Sequence, residues 1–274
     1  MKSCEADEMM GAIKSVMRST VVGRIGLWSR DMPVAGLPRI DGIRAIIFDV
    51  DGTLYDQRPL RWKMLRRLVG AHVARPVTGW RTAAVLRAYR RAQEDLRHQP
   101  RGNPAAKQAE IASAQTGASP EFVRQCVTRW METEPLPFLP ACRYPGLVGF
   151  LKTCRLRGLR LAALSDYPAE AKLRVLGIAD AFDLTLCAQS PEIGRFKPDP
   201  RGLQVALDRL SVTPEQAIYI GDREEVDAAA ASAAGVACVI ISRRTRVASG
   251  SFSIARGYDE LHARLLGRDS TERP

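Results

Sequence analysis

Four short stretches of the chain place acids, a hydroxyl and an amine behind apolar runs, three of them directly and one in the loop that follows. They are Asp49-Val50-Asp51-Gly52-Thr53, Ser165-Asp166, Lys197 within Phe196-Lys197-Pro198-Asp199, and Gly221-Asp222 with Asp227 five residues on. Gathered in one place, such a set suits phosphoryl chemistry. Carboxylates are hard oxygen ligands of the kind Mg²⁺ takes, usually one or two of them together with waters and a substrate phosphate. The cation would offset repulsion among the acids and between Asp49 and an anionic substrate. A carboxylate that attacks phosphorus forms an aspartyl phosphate, which divides one hard displacement into two easier ones. Taken singly, each residue has a plainer explanation. Asp-Gly-Thr suits a capped turn, Ser165 a helix cap, Lys197 a solvated loop and Asp227 a helix N-terminus.

The elements around these stretches explain why they should meet. Ala45-Ile46-Ile47-Phe48 is a short apolar run that ends at acids and glycine, as a buried parallel strand ends in a loop. Further runs of this kind fall at Leu159–Leu164, Leu184–Ala188, Ala217–Ile220 and Ala237–Ile241. Segments of helical texture, Pro168–Leu176, Gly202–Leu210 and Asp227–Ala234, separate them. Strand alternating with helix predicts an α/β fold, a doubly wound parallel sheet. Ligands of such a sheet bind outside the carboxyl ends of its strands, where the polar stretches lie.

More than a hundred residues separate the first two strands, too many for a simple crossover. The gap carries four helix-like segments, Leu60–Ala74, Thr78–Gln99, Ala105–Thr116 and Pro120–Glu132, punctuated by Pro76, Gly102-Asn103-Pro104, Gly117 and Pro135. The expected organisation is therefore an appendage over 1–40, possessing a helix-like piece from Met10 to Trp28, and an α/β core over 41–56 and 141–250. A helical cap is inserted over 57–140, and a C-terminal helix and tail occupy 251–274.

Composition narrows the class. Of 274 residues 46% are apolar and 26% charged, which fits an ordinary globular protein. The six cysteines form no CxxC pair and only three histidines are present, so zinc spacing is missing. No run of about 18 apolar residues favours a membrane span, and the opening MKSCEADEMM does not read as a secretory signal. The expectation is a reducing cytoplasm. The net charge is +11, and residues 57–140 hold 13 Arg and 2 Lys against six acids. A basic surface of this kind attracts nucleic acid, anionic lipid or a small anionic substrate, and charge alone does not choose among them.

Taken in order and in strand-end context, Asp49-Val50-Asp51-Gly52-Thr53, Ser165, Lys197 and Gly221-Asp222 with Asp227 resemble the four motifs of the haloacid dehalogenase-like (HAD) hydrolase superfamily. The insert resembles that family's helical cap placed after the first motif, and the phosphatase branch with phosphoglycolate phosphatase-like members fits it. The resemblance covers about residues 44–242, including the Ala-rich run from Asp227 to Gly235. It implies a Rossmann-like HAD core and a Mg²⁺-dependent phosphatase acting on a small phosphate monoester. Asp49 would be nucleophile and metal ligand. Asp51 would be the acid toward the leaving alcohol, then the base for water, with its backbone carbonyl on the metal. Ser165 and the following amide, that of Asp166, would hold phosphoryl oxygens, and Lys197 would neutralise charge. Asp222 would ligate Mg²⁺ and Asp227 would orient that shell. Dehalogenases of this fold lack an acid at the place of Asp51. The chain departs from the pattern at Ser165-Asp166, where many relatives have Asn after the Ser or Thr. The partner expected is a small anionic phosphorylated substrate under a basic cap, not nucleic acid, and the oligomeric state stays open. The alternatives are a sugar phosphomutase using the same intermediate and a non-catalytic scaffold for an anionic partner.

Overall fold

A computed structural model describes residues 40–97, 102–242 and 252–267. The appendage expected over 1–40 lies almost wholly outside the described residues. Residues 58–96 and 104–138 cluster as one compact unit and the remaining described residues as a second.

The second unit is built on a parallel sheet of six strands, β1 (Ala45–Phe48), β2 (Arg160–Ser165), β3 (Leu184–Cys187), β4 (Ala217–Gly221), β5 (Ala237–Ile241) and β6 (Ser253–Ala255), in the order β3-β2-β1-β4-β5-β6. The fold is the doubly wound α/β arrangement expected. β1 is central and buried along its whole length, and Phe48 packs edge-on against Phe150 and Phe182. Each large apolar side chain buried in this way stabilises by about 1.5–3 kcal/mol. The chain moves from β1 outward through β2 to β3, then returns to the other side of β1 for β4. The strand order therefore reverses between β1 and its neighbours β2 and β4, and a crevice opens there at the carboxyl ends. Register sets Phe48 beside Ala163 on one side and Ile220 on the other, so the residues after β1, β2 and β4 come level.

In chain order the α-helices are α1 (Gln57–His72), α2 (Pro76–Leu96), α3 (Pro104–Thr116), α4 (Pro120–Val127), α5 (Leu147–Leu156), α6 (Glu170–Val175), α7 (Arg201–Leu210), α8 (Ala229–Ala233) and α9 (Tyr258–Leu261). The first four make the other unit. Three of them begin on proline, whose missing N–H costs nothing in a first turn. Within this unit α2 packs on α3, with Gln108 donating to the Tyr89 carbonyl at 2.7 Å. Tyr89 and Trp130 are buried.

Three features differ from expectation. Helix α5, ahead of β2, is not foreseen by the periodicity. The helix expected to start at Asp227 starts at Glu224 as a wide π-turn that continues into α8. β6 lies where only a helix and tail are expected; at three residues it has no readable period, and its pairing with β5, Val239 beside Ser253, holds it. The Tyr258 hydroxyl from α9 donates to the Thr53 carbonyl at 2.9 Å, which fastens this C-terminal part to the loop after β1.

Candidate active site

Asp49 is the first residue beyond β1, and its amide donates to the Ile220 carbonyl at 2.8 Å. Its carboxylate is buried and held at both oxygens, by Lys197 Nζ at 2.5 Å and by Thr53 Oγ1 at 2.9 Å. Lys197 also donates to Asp227 Oδ1 at 2.7 Å and to the Tyr219 hydroxyl at 3.0 Å, so its three N–H donors are all engaged. The Tyr219 hydroxyl in turn donates to Asp227 Oδ1 at 3.0 Å. Asp227 Oδ2 accepts from the amides of Asp222 and Arg223 at 3.1 and 3.0 Å. Asp227 thus fixes both the lysine and the loop that presents Asp222.

Charge in this pocket is unbalanced. Asp49, Asp222 and Asp227 offer oxygens that all lie within 4.8 Å of one another, against one buried ammonium. Burial, only partly opposed by Lys197 and reinforced by Asp227, raises Asp49 to about 7. Asp222 is pushed up by burial and then by Asp49. Asp227 goes the other way: burial would raise it, but Lys197 and the two amides hold it below the usual carboxylate range. Burial would lower Lys197, but Asp227 and Asp49 keep its ammonium protonated well above the ordinary lysine value. With all three carboxylates ionised, one ammonium would leave about two negative charges in this largely buried site, an arrangement that fits a divalent cation.

Asp51 faces a different set of partners. Lys172 Nζ, from α6, donates to both of its carboxylate oxygens at 2.6 and 2.7 Å. The Tyr55 hydroxyl donates to Oδ1 and the Gln57 side-chain amide to the backbone carbonyl. Burial would raise Asp51, but the Lys172 ammonium outweighs it and the net direction is down.

Ser165 ends β2 and is buried; its Oγ accepts from the Tyr167 amide at 3.3 Å. The carboxylate of Asp166 is turned to the Arg97 guanidinium at 2.9 Å, and the same Arg97 nitrogen donates to the Lys197 carbonyl. An acid is accommodated after Ser165 because a buried arginine neutralises it.

Two glycines make the close approaches possible. Gly52 has φ +108°, and a Cβ there would come within 2.7 Å of Asp222 Cγ. At Gly221 a Cβ would fall 2.5 Å from Asp227 Cγ and 2.7 Å from its Oδ2. Gly221→Ala is therefore expected to push Asp227 off Lys197 and the two amides at a cost of about 1–3 kcal/mol. Urea unfolding of the two proteins measures this, and an unchanged midpoint would contradict it.

Of the residues named from sequence, Asp49, Lys197, Asp222 and Asp227 come into one hydrogen-bonded or closely spaced group, and Asp51 and Ser165 lie at the same sheet end. Sequence reasoning includes Thr53 in the first motif without giving it a role, and misses Tyr55, Lys172, Tyr219 and Arg97. Tyr219 has a signal, since strand alternation puts it on the same face as Gly221. Lys172 and Arg97 have none short of the fold itself.

Known proteins similar to this chain point to one family. A family profile described as a haloacid dehalogenase-like hydrolase matches residues 43–235. A glyceraldehyde 3-phosphate phosphatase of Methanopyrus kandleri is 31% identical over 73% of this chain and 84% of its own. A phosphoglycolate phosphatase of Rhodospirillum rubrum is 30% identical over 73% and 79%. Among solved structures, a 2-haloacid dehalogenase from Pseudomonas syringae superposes with a TM-score of 0.57 at 21% identity, covering 80% of this chain and 96% of that one. A HAD phosphatase from Thermococcus onnurineus gives 0.53 at 22%, over 80% and 96%. These last two show a shared fold. With the family profile spanning most of the chain and two curated relatives covered over most of their length, the protein belongs to the haloacid dehalogenase-like hydrolase family.

Proposed function

We propose that the protein is a phosphatase that hydrolyses a small phosphate monoester through a transient phosphoryl group on Asp49. The observation that carries this reading is the pairing of two differently held carboxylates on one loop, Asp49 gripped by Lys197 and Asp51 gripped by Lys172. Asp49 Oδ attacks phosphorus while the bond to the ester oxygen breaks, and Asp51, which Lys172 holds ionised in the free protein and which must take up a proton with the anionic substrate bound, delivers that proton to the oxygen. Asp51 then takes a proton from water, whose oxygen attacks phosphorus and breaks the bond to Asp49, releasing phosphate. A departing halide needs no proton and a departing alkoxide does, so an acid at Asp51 supports phosphoryl transfer over dehalogenation. Ser165 and the Asp166 amide would meet the phosphoryl oxygens. Lys197 lowers the charge of the nucleophile as an anion approaches it. The relatives' names, glyceraldehyde 3-phosphate phosphatase and phosphoglycolate phosphatase, favour a small substrate, and the second name together with the positive charge of residues 57–140 favours one with an anionic group besides the phosphate.

Asp49 and Asp222, with the Asp51 carbonyl, would hold Mg²⁺, and Asp227 would steady Asp222. When bound, the cation would draw charge off the transferring phosphoryl group. The test is phosphate release from a panel of monoesters with Mg²⁺ or with EDTA. Release that depends on Mg²⁺ agrees with the proposal; folded protein that releases none contradicts it.

Metal binding should also depend on pH. A group raised above its unfolded value of 3.8, as Asp49 is to about 7, takes stability away from the metal-free fold as pH rises through that window. A cation must displace this proton below about pH 7 and meets a ready carboxylate above it. The thermal stabilisation by Mg²⁺ is expected to be small near pH 5 and to grow toward about pH 8. A Mg²⁺ effect independent of pH would show that the metal displaces no proton from Asp49.

Among the described residues no helix is long and apolar enough to cross a membrane, and Cys126, Cys142, Cys154, Cys187 and Cys238 form no disulfide.

A further inference from the structure

Lys172 stands outside every motif named above, yet it makes the firmest contact to Asp51. Its ammonium reaches both carboxylate oxygens, at 2.6 and 2.7 Å, while Tyr55 donates to one of them and Gln57 holds the same residue's carbonyl. The Lys172 side chain is 9% exposed and that of Asp51 26%, so the carboxylate keeps some open surface while the cation that holds it is buried. A carboxylate on a loop can rotate about two side-chain bonds. A two-point grip on its oxygens plus a third donor fixes its plane.

We propose that Lys172 is a positioning residue for proton transfer: by fixing both oxygens of Asp51 together with Tyr55, it keeps the open surface of that carboxylate turned to the leaving oxygen. The inference rests on the phosphatase reading above. It makes Lys172 matter in proportion to how much the leaving group needs a proton. An alkoxide needs it badly and a nitrophenolate hardly at all. A misplacement of about 1 Å can cost on the order of 10²-fold in rate, close to the lower end of what general acid catalysis supplies.

The test compares the full chain with Lys172→Met on glycerol phosphate and on p-nitrophenyl phosphate, using kcat/KM, which covers only the steps up to release of the alcohol. Lys172→Met is expected to lose about 10²-fold on the alkyl ester and less than about threefold on the aryl ester, with inhibition by inorganic phosphate unchanged. Lys172→Arg, which retains a cation able to meet two oxygens, should recover part of the alkyl activity. Tyr55→Phe, which removes a single donor, should give a smaller loss with the same preference and serves as the readout if Lys172→Met does not fold. Equal losses on both esters, or an unchanged or faster alkyl ester, would overturn the positioning role while leaving the phosphatase reading in place. Wild-type protein inactive on every ester would overturn both.

Discussion

Asp49→Asn is expected to abolish phosphate release, by on the order of 10⁴-fold or more, because the amide cannot serve as the nucleophile on which the whole reaction is divided into two steps. The substitution is nearly isosteric, so little else should change. Lys197 retains Asp227 and Tyr219 as acceptors, at 2.7 and 3.0 Å. Asn also removes a carboxylate that burial has pushed up to about 7, and with it the cost of ionising that group at neutral pH. The thermal midpoint should therefore be preserved while turnover disappears. Equal turnover in the two proteins would mean that water attacks phosphorus directly, or that another residue accepts the phosphoryl group.

Lys197→Met should be the most damaging change to stability. It leaves Asp49 and Asp227 buried around a place where an ammonium had served both, at 2.5 and 2.7 Å. Removing one partner of a buried ion pair costs about 3–5 kcal/mol, because the other charge stays behind unpaired. Turnover of the fraction that folds should fall by about 10²–10³, the usual effect of losing one preorganised electrostatic contact. A divalent cation brings charge back to the same carboxylates, so Mg²⁺ should recover part of the lost stability and little of the turnover. Denaturant unfolding with and without Mg²⁺ separates the two effects. A variant as stable as the wild type without metal would show that Asp49 and Asp227 take up protons and do not need the lysine.

The legible and the hidden parts of this protein fall on two sides of a physical divide. The strands that carry the site read directly from the sequence, because a strand buried on both faces must be apolar along its length, as in Ala45-Ile46-Ile47-Phe48, and must stop where polar groups begin. Asp49, Asp51, Ser165 and Asp222 are close in sequence to those stops, so their gathering at the carboxyl ends follows from topology, while Lys197 arrives from the loop ten residues beyond β3. β6 is hidden because Ser253-Ile254-Ala255 is too short to show a period and is held by its neighbour β5. Lys172 is hidden because its role depends on the direction in which α6 leaves β2. The purpose of Asp166 beside Ser165 is hidden because its counter-charge, Arg97, is 69 residues away in the inserted segment, where many arginines look alike. Spacing speaks for residues that act next to a strand end. It is silent on partners that arrive from elsewhere.

The central claim, a phosphoryl group carried by Asp49, is tested most directly with Asp51→Asn. With p-nitrophenyl phosphate the leaving group needs no acid, so the first step should still run; the second, which needs Asp51 as base, should stall. Mixed with this ester and Mg²⁺, Asp51→Asn is predicted to release nitrophenol as a burst matching the protein concentration. Its intact mass should rise by one phosphoryl group, located on the peptide that contains Asp49. No mass gain under conditions where the wild type turns over the same ester, or a phosphoryl group found on another residue, would contradict the account.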